Sequence, residues 1–326
     1  MNIKTLFKNI WGLLRETFKG FSDHKITKIS GSLAYYTVFS MAPLLVVIIS
    51  LCGFFLEREA VEGKIYGVLQ GFVGQDTAVQ LQELVKNAAV DNSGIAAVVG
   101  IVTLLIGATT VFAEIQDSIN SIWGLKPKPK RGWLKFLQNR FLSFSVIISL
   151  GFLLLTSLLV TGIIETLMSG LQQRFPDVAV ITFYVINILI TLTVSMLIFA
   201  VIFKVLPDAQ IRWRDVMTGA LITAILFMLG KFGISLYISQ TKIGSTYGAA
   251  GSLAVLLVWI YYSSIILYVG AEFTRAYAVK YGREIRPNHY AVTTREVEIE
   301  TGDKPVTELK DHKAVVNKKL ETPDKE

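Results

Sequence analysis

Cysteine occurs once, at Cys52, so no disulfide can form within the chain. The three histidines, His24, His289 and His312, lie far apart without a His-x-x-x-His or Cys-x-x-Cys companion, which leaves little for a metal site of that kind. Eight prolines exclude a collagen-like or Pro-rich fibre. The Gly-x-Ser-x-Gly elbow, the Walker A loop and the dinucleotide fingerprint are all missing. Charge is scarce as well: 17% of the 326 residues are Asp, Glu, Lys or Arg, against 52% hydrophobic residues and a mean hydropathy of +0.52. Those proportions exclude an ordinary pair of soluble domains and describe a chain whose main solvent is lipid.

About 20 helical residues cross about 30 Å of hydrocarbon, and lipid offers no partner for an unpaired backbone group. Five uncharged apolar runs meet that requirement: Gly31 to Leu56, Ser93 to Ala113, Phe141 to Ile164, Val178 to Phe203 and Ile243 to Ala271. A sixth, Val216 to Thr241, is interrupted only by Lys231. The expected fold is therefore all-α, with six transmembrane helices and both termini on one side.

Charge placement says which side. The N-terminal 30 residues, the second and fourth connections and the C-terminal tail hold 26 Lys/Arg, whereas the first, third and fifth connections hold Arg58, Lys64, Lys86, Arg174 and Lys242. The positive-inside rule then puts both termini in the cytoplasm and explains the net charge of +7 without nucleic acid.

Three further regions follow. In residues 1–29, Leu6, Phe7, Ile10, Leu13, Leu14, Phe18 and Phe21 recur near helical spacing between Lys4, Lys8, Arg15 and Lys19, which rules out a signal peptide. That pattern suits an amphipathic helix on an anionic inner leaflet, or one packed on the protein's own cytoplasmic face. Residues 57–92 carry two apolar stripes broken at Gly74-Gln75-Asp76 and read as an outer helical hairpin. That hairpin belongs to the transmembrane domain, 30–285; beyond, 286–326 lacks periodic apolar residues and reads as a disordered cytoplasmic tail.

Two groups of polar residues stand out. Glu114 and Asp117 share a helical face at the inner end of the second span, with Asn120 beside them and Arg140, Arg212, Arg214, Glu272 and Arg275 expected at the same depth. From Ile95, Glu114 lies about 28 Å along a helix, at the interface and not mid-membrane. A structural charge cluster is the first reading of these residues, and a gate or ligand site is the rival. Glu272 and Arg275 have the spacing of an intrahelical pair. The second group is an intramembrane pathway of Tyr35, Ser40, Pro43, Asn187 and Lys231. Pro43 cannot donate to the carbonyl of Phe39, so a kink or opened turn is expected there. Against a pathway, helix packing accounts for the small and hydroxyl residues around Tyr35, and Lys231 can snorkel or meet Glu165. Gly-Ser-Leu-Ala recurs at 31–34 and 251–254, too short to establish an inverted repeat.

Four stretches carry a family resemblance: Ser32 to Leu44, Phe112 to Trp123, Leu206 to Ala220, and Ser245 to Leu253 continuing through Trp259-Ile-Tyr-Tyr to Glu272. Their order and spacing, over about Arg15 to Tyr281, resemble the YihY/BrkB family of bacterial inner-membrane proteins. The resemblance implies a six-span inner-membrane protein of unsettled activity, whose members have carried the labels ribonuclease BN and serum-resistance or virulence factor. Metal-dependent RNA hydrolysis needs clustered His, Asp and Glu ligands, and none stands out here, so no catalytic residue is carried over.

Without an enzymatic head, cofactor motif or nucleic-acid signature, the chain is expected to be no enzyme and to use no cofactor. Its expected role is transport or lipid handling in the cell envelope, with membrane lipids and a small-molecule or lipid substrate as partners. A membrane scaffold recruiting protein partners at the cytoplasmic face is the alternative, and an intramembrane enzyme the third reading. In a Cys52→Ser background, Gln75→Cys reacts with an impermeant thiol reagent added to intact cells and Lys130→Cys does not; labelling at 130 overturns this orientation.

Overall fold

The computed structural model describes residues 3–52, 66, 94–127, 176–241, 251–282, 285–288 and 291–294. The third apolar run, the outer hairpin at 57–92 except for Tyr66, Arg140 and the tail beyond Thr294 lie outside the described residues. The described helices are α1 (Ile3–Asp23), α2 (Ile26–Cys52), α3 (Gly94–Ile122), α4 (Pro176–Val205), α5 (Trp213–Thr241) and α6 (Gly251–Tyr281). Three segments, Val185–Val205, Trp213–Ile234 and Leu256–Tyr281, are long and apolar enough to cross a membrane. The helix assigned as α2 runs on through Pro43.

Adjacent helices pack as α2 on α3, α2 on α6, α6 on α5, α5 on α4, and α1 on α6. The basic ends of these elements gather at one end of the bundle. There, the α1–α2 junction, the C-termini of α3, α4 and α6 and the N-terminus of α5 meet, so α2 and α5 run away from this basic end and α3, α4 and α6 run toward it. The buried core lies here too, with Ile119, Ile122, Phe203, Leu206, Val216 and Tyr268 almost wholly enclosed. Near water, each such large apolar side chain contributes about 1.5–3 kcal/mol by burial.

Within this core, close approach of backbones joins α5 to α6. Gly219 of α5 faces Thr274 of α6, and Gly270 of α6 faces Thr223 of α5. Each threonine sits four residues after a glycine and returns its hydroxyl to that glycine's carbonyl at 2.7 Å. The two antiparallel helices thus repeat one motif against each other, and a methyl group on either glycine would strike the opposing hydroxyl. From this end an aromatic ladder leads inward across three helices: Phe203 and Phe199 of α4, Phe227 of α5, then Trp259 and Tyr262 of α6, with successive ring centroids 5.8–6.2 Å apart.

Four short strands modify the all-α expectation. β1 (Leu125–Pro127) pairs antiparallel with β4 (Ala291–Thr293), and β2 (Ala209–Gln210) pairs antiparallel with β3 (Arg286–Pro287). Ordered chain therefore continues past Arg286, where the disordered tail was expected to begin. The reason is pairing: the residues after α6 satisfy backbone groups of the α4–α5 connection and of the segment after α3, and Ala291 is buried in doing so. Truncation after Arg286 is therefore expected to lower the melting temperature of the detergent-solubilised protein, whereas truncation after Thr294 leaves it unchanged. Equal melting of both truncated chains and the full chain would remove the strands from any role in stability.

Candidate functional site

The short connection from α4 to α5 is built around Asp208. Its carboxylate is buried and accepts from Gln116 Nε2 and Asn120 Nδ2, both at 3.1 Å, while its own backbone N–H donates to Asn120 Oδ1 at 2.8 Å. Gln116 and Asn120 are four residues apart and so present their amides from one face of α3. The carbonyl of Asp208 accepts from the backbone N–H of Asn288 at 3.0 Å. One residue thus joins α3, the α4–α5 connection and the segment after α6. Gln116 keeps a buried Oε1 without a hydrogen bond among the described residues.

The connection is held at its flanks as well. Lys204, in the last turn of α4, donates to the carbonyl of Ile211 and lies 5.6 Å from the ring centroid of Trp213. A cation at that helix end also complements the dipole, as does buried Asp215 in the first turn of α5.

A second polar centre is Glu272 on α6, whose side chain is fully buried. One carboxylate oxygen accepts from Arg275 Nε at 3.0 Å and also from its terminal nitrogen, and His24 Nδ1 lies 3.0 Å from the other oxygen. Lys25, with φ of 49°, breaks the chain between α1 and α2, and His24 at that turn reaches α6. Gly20 lies directly against the Glu272 carboxylate, so α1 can approach only where a side chain is missing. Trp123 closes the same region by donating from Nε1 to the carbonyl of Ala271 at 3.1 Å.

These contacts rearrange the polar cluster expected from sequence. Asn120 is in the buried network, but with Asp208 and Gln116 as its partners. Glu114 is half-buried, Asp117 is exposed, and Arg212 and Arg214 are exposed, so these four do not form a buried charge cluster. The physical reason is cost: amide donors satisfy a buried carboxylate without taking a second charge out of water. Glu272 and Arg275 are paired, with His24 as an unforeseen third member. Of the pathway group, Ser40 is buried while Tyr35 is 59% exposed and packs its ring on Tyr36 and Phe39. Asn187 is exposed and accepts from Thr191 at 3.3 Å, and Lys231 is half-buried. Asp208 and Gln116 were missed, although Gln116 and Asn120 at a four-residue spacing gave a readable signal of one polar helix face.

Long apolar helices around a buried polar core at one end define a helical integral membrane protein. The chain belongs to the family described as virulence factor BrkB, whose model matches residues 17–293, through β4. It is similar to a UPF0761 membrane protein of Alteromonas mediterranea, 27% identical over 279 residues that cover 83% of this chain and 91% of the relative. A second such protein, from Pseudoalteromonas translucida, is 30% identical over 258 residues, covering 77% of this chain and 81% of the relative. No solved structure matches the chain.

Removing the carboxylate at Asp208 strands two buried amides, each worth about 1–3 kcal/mol when left unsatisfied. Asp208→Ala is therefore expected to destabilise the detergent-solubilised protein by about 2–5 kcal/mol, while Glu114→Gln leaves its unfolding unchanged. Equal unfolding of both variants would show that the Asp208 network holds nothing together.

Proposed function

We propose that this is a six-span bacterial inner-membrane protein with both termini in the cytoplasm, acting in transport or lipid handling in the cell envelope. Helix direction supports the topology. The chain stands at the basic end at Pro127, and α4 begins about 45 Å from that end at Pro176, a separation that supports one more crossing between them. The apolar run from Phe141 to Ile164 has the length for it.

The functional reading rests on one observation: two polar side chains stand on exposed apolar stretches of α4 and α5. Among the described residues, Val185, Ile188 and Leu189 of α4 and Leu229 and Phe232 of α5 are exposed, and exposed Asn187 and half-buried Lys231 sit on those same stretches. A scaffold needs no polar side chain at that depth, whereas a protein that admits a substrate from one side or from the lipid uses one. The reading assigns no enzymatic chemistry and no cofactor, and its substrate is a small molecule or a lipid.

Lipids and small solutes on the two faces of the membrane, profiled in cells lacking the protein, test it. A class that accumulates on one side, is cleared by the wild-type chain and is cleared less well by Asn187→Ala or Lys231→Ala supports transport. Identical profiles, with loss of a cross-linked protein partner at the cytoplasmic face, favour the scaffold.

A further inference from the structure

Among the described residues, helix α1 has four faces, one of which is docked on the bundle. Leu13, Thr17 and Gly20 face inward: Leu13 and Thr17 are buried, Thr17 Oγ1 bonds the carbonyl of Leu13 at 2.9 Å, and Gly20 meets Glu272. At the other end of the contact, Lys280 Nζ of α6 donates to the carbonyl of Asn9 at 3.0 Å. Beside the docked face runs an uncovered apolar stripe of Ile10, Trp11, Leu14 and Phe18, with Trp11 68% and Phe18 73% exposed. At about 100° per residue these four fall within roughly 100° of arc. Next around the helix come exposed Lys8, Arg15 and Lys19, and exposed Glu16 and Asp23 lie opposite the apolar stripe.

That order matches the layers of a membrane interface: apolar side chains toward the acyl boundary, cations at the headgroups and acids toward water. We propose that α1 is a docking surface for anionic phospholipid of the leaflet at the basic end. The Glu272, His24 and Lys280 contacts hold the helix at the bundle, so its apolar stripe is presented by a fixed element. Docking on α6 and burial in lipid are thus both served, by different faces of one helix. The helix also lies obliquely. Gly20 meets Glu272, whereas Asn9 meets Lys280 two turns nearer the end of α6, so Phe18 is closer to the bilayer than Ile10. The inference is independent of whether the protein transports anything.

The full chain, in a Cys52→Ser background with single Ile10→Cys, Leu14→Cys, Glu16→Cys or Phe18→Cys substitutions, is spin-labelled. It is then reconstituted in phosphatidylcholine vesicles with and without phosphatidylglycerol. Thermal unfolding of each labelled protein confirms that it is folded, and the Leu14 and Ile10 probes carry the test if Phe18→Cys fails. The expected result is a graded depth, with accessibility to a water-soluble nickel reagent several-fold lower at 18 and 14 than at 16, and intermediate at 10. Phosphatidylglycerol deepens the stripe, and Lys8→Gln, Arg15→Gln and Lys19→Gln together abolish that difference. Nickel accessibility at 14 and 18 equal to that at 16 in both vesicles overturns the proposal, as does spin–spin broadening at 14 or 18, which assigns the stripe to a second copy of the chain. A depth independent of phosphatidylglycerol overturns its anionic part.

Discussion

Asp208 ties two separate stretches of chain to its own, and the packing of the basic end depends on it. A carboxylate enclosed at that depth has to be satisfied by donors of fixed geometry, because an unpartnered buried charge costs more than the fold can spare. The two amides of α3 meet that need at 3.1 Å each, and in return they hold α3 against the α4–α5 connection. The carbonyl of the same residue then takes Asn288, which draws the segment after α6 into place for the pairing of β3 with β2. Loosening one carboxylate would loosen three connections together.

Around that node two kinds of contact combine. Apolar burial and hydrogen bonding act there as they do in a soluble core. Within the same region, α5 and α6 associate through the fit of Gly219 to Thr274 and Gly270 to Thr223, contacts whose value lies in shape. Farther along, Val185, Ile188 and Leu189 of α4 and Leu229 and Phe232 of α5 are exposed apolar side chains.

The apolar runs at α2 to α6 were legible in the sequence because each is long, and length against bilayer thickness is a strong constraint. The amphipathic period of α1 was legible for the same kind of reason. The strands were not: two or three residues carry no period, and their partners lie between about 75 and 170 residues away in sequence, so nothing local marks them. Asp208 beside Pro207 reads as ordinary turn chemistry until the fold brings α3 to it. The expected polar cluster is met only in Asn120 and the Glu272–Arg275 pair, for a related reason. Helical spacing correctly put Glu114 and Asp117 near one another on α3, but spacing cannot say which face is buried, and the buried face carries Gln116 and Asn120 instead.

Glu272 links the two kinds of surface in this molecule. Its carboxylate is enclosed within the bundle, yet His24 and Arg275, which meet it, are about a quarter and a third exposed, and Gly20 of α1 presses directly on it. Any displacement of α1 therefore removes His24 from a carboxylate that cannot reach water by itself, and the cost of that separation resists the displacement. A surface helix held only by apolar contacts could slide along the bundle, because such contacts are non-directional. A helix held by a buried carboxylate through a missing side chain cannot. The position of α1 on the bundle is consequently set by the interior of α6, and a change in either is felt by the other.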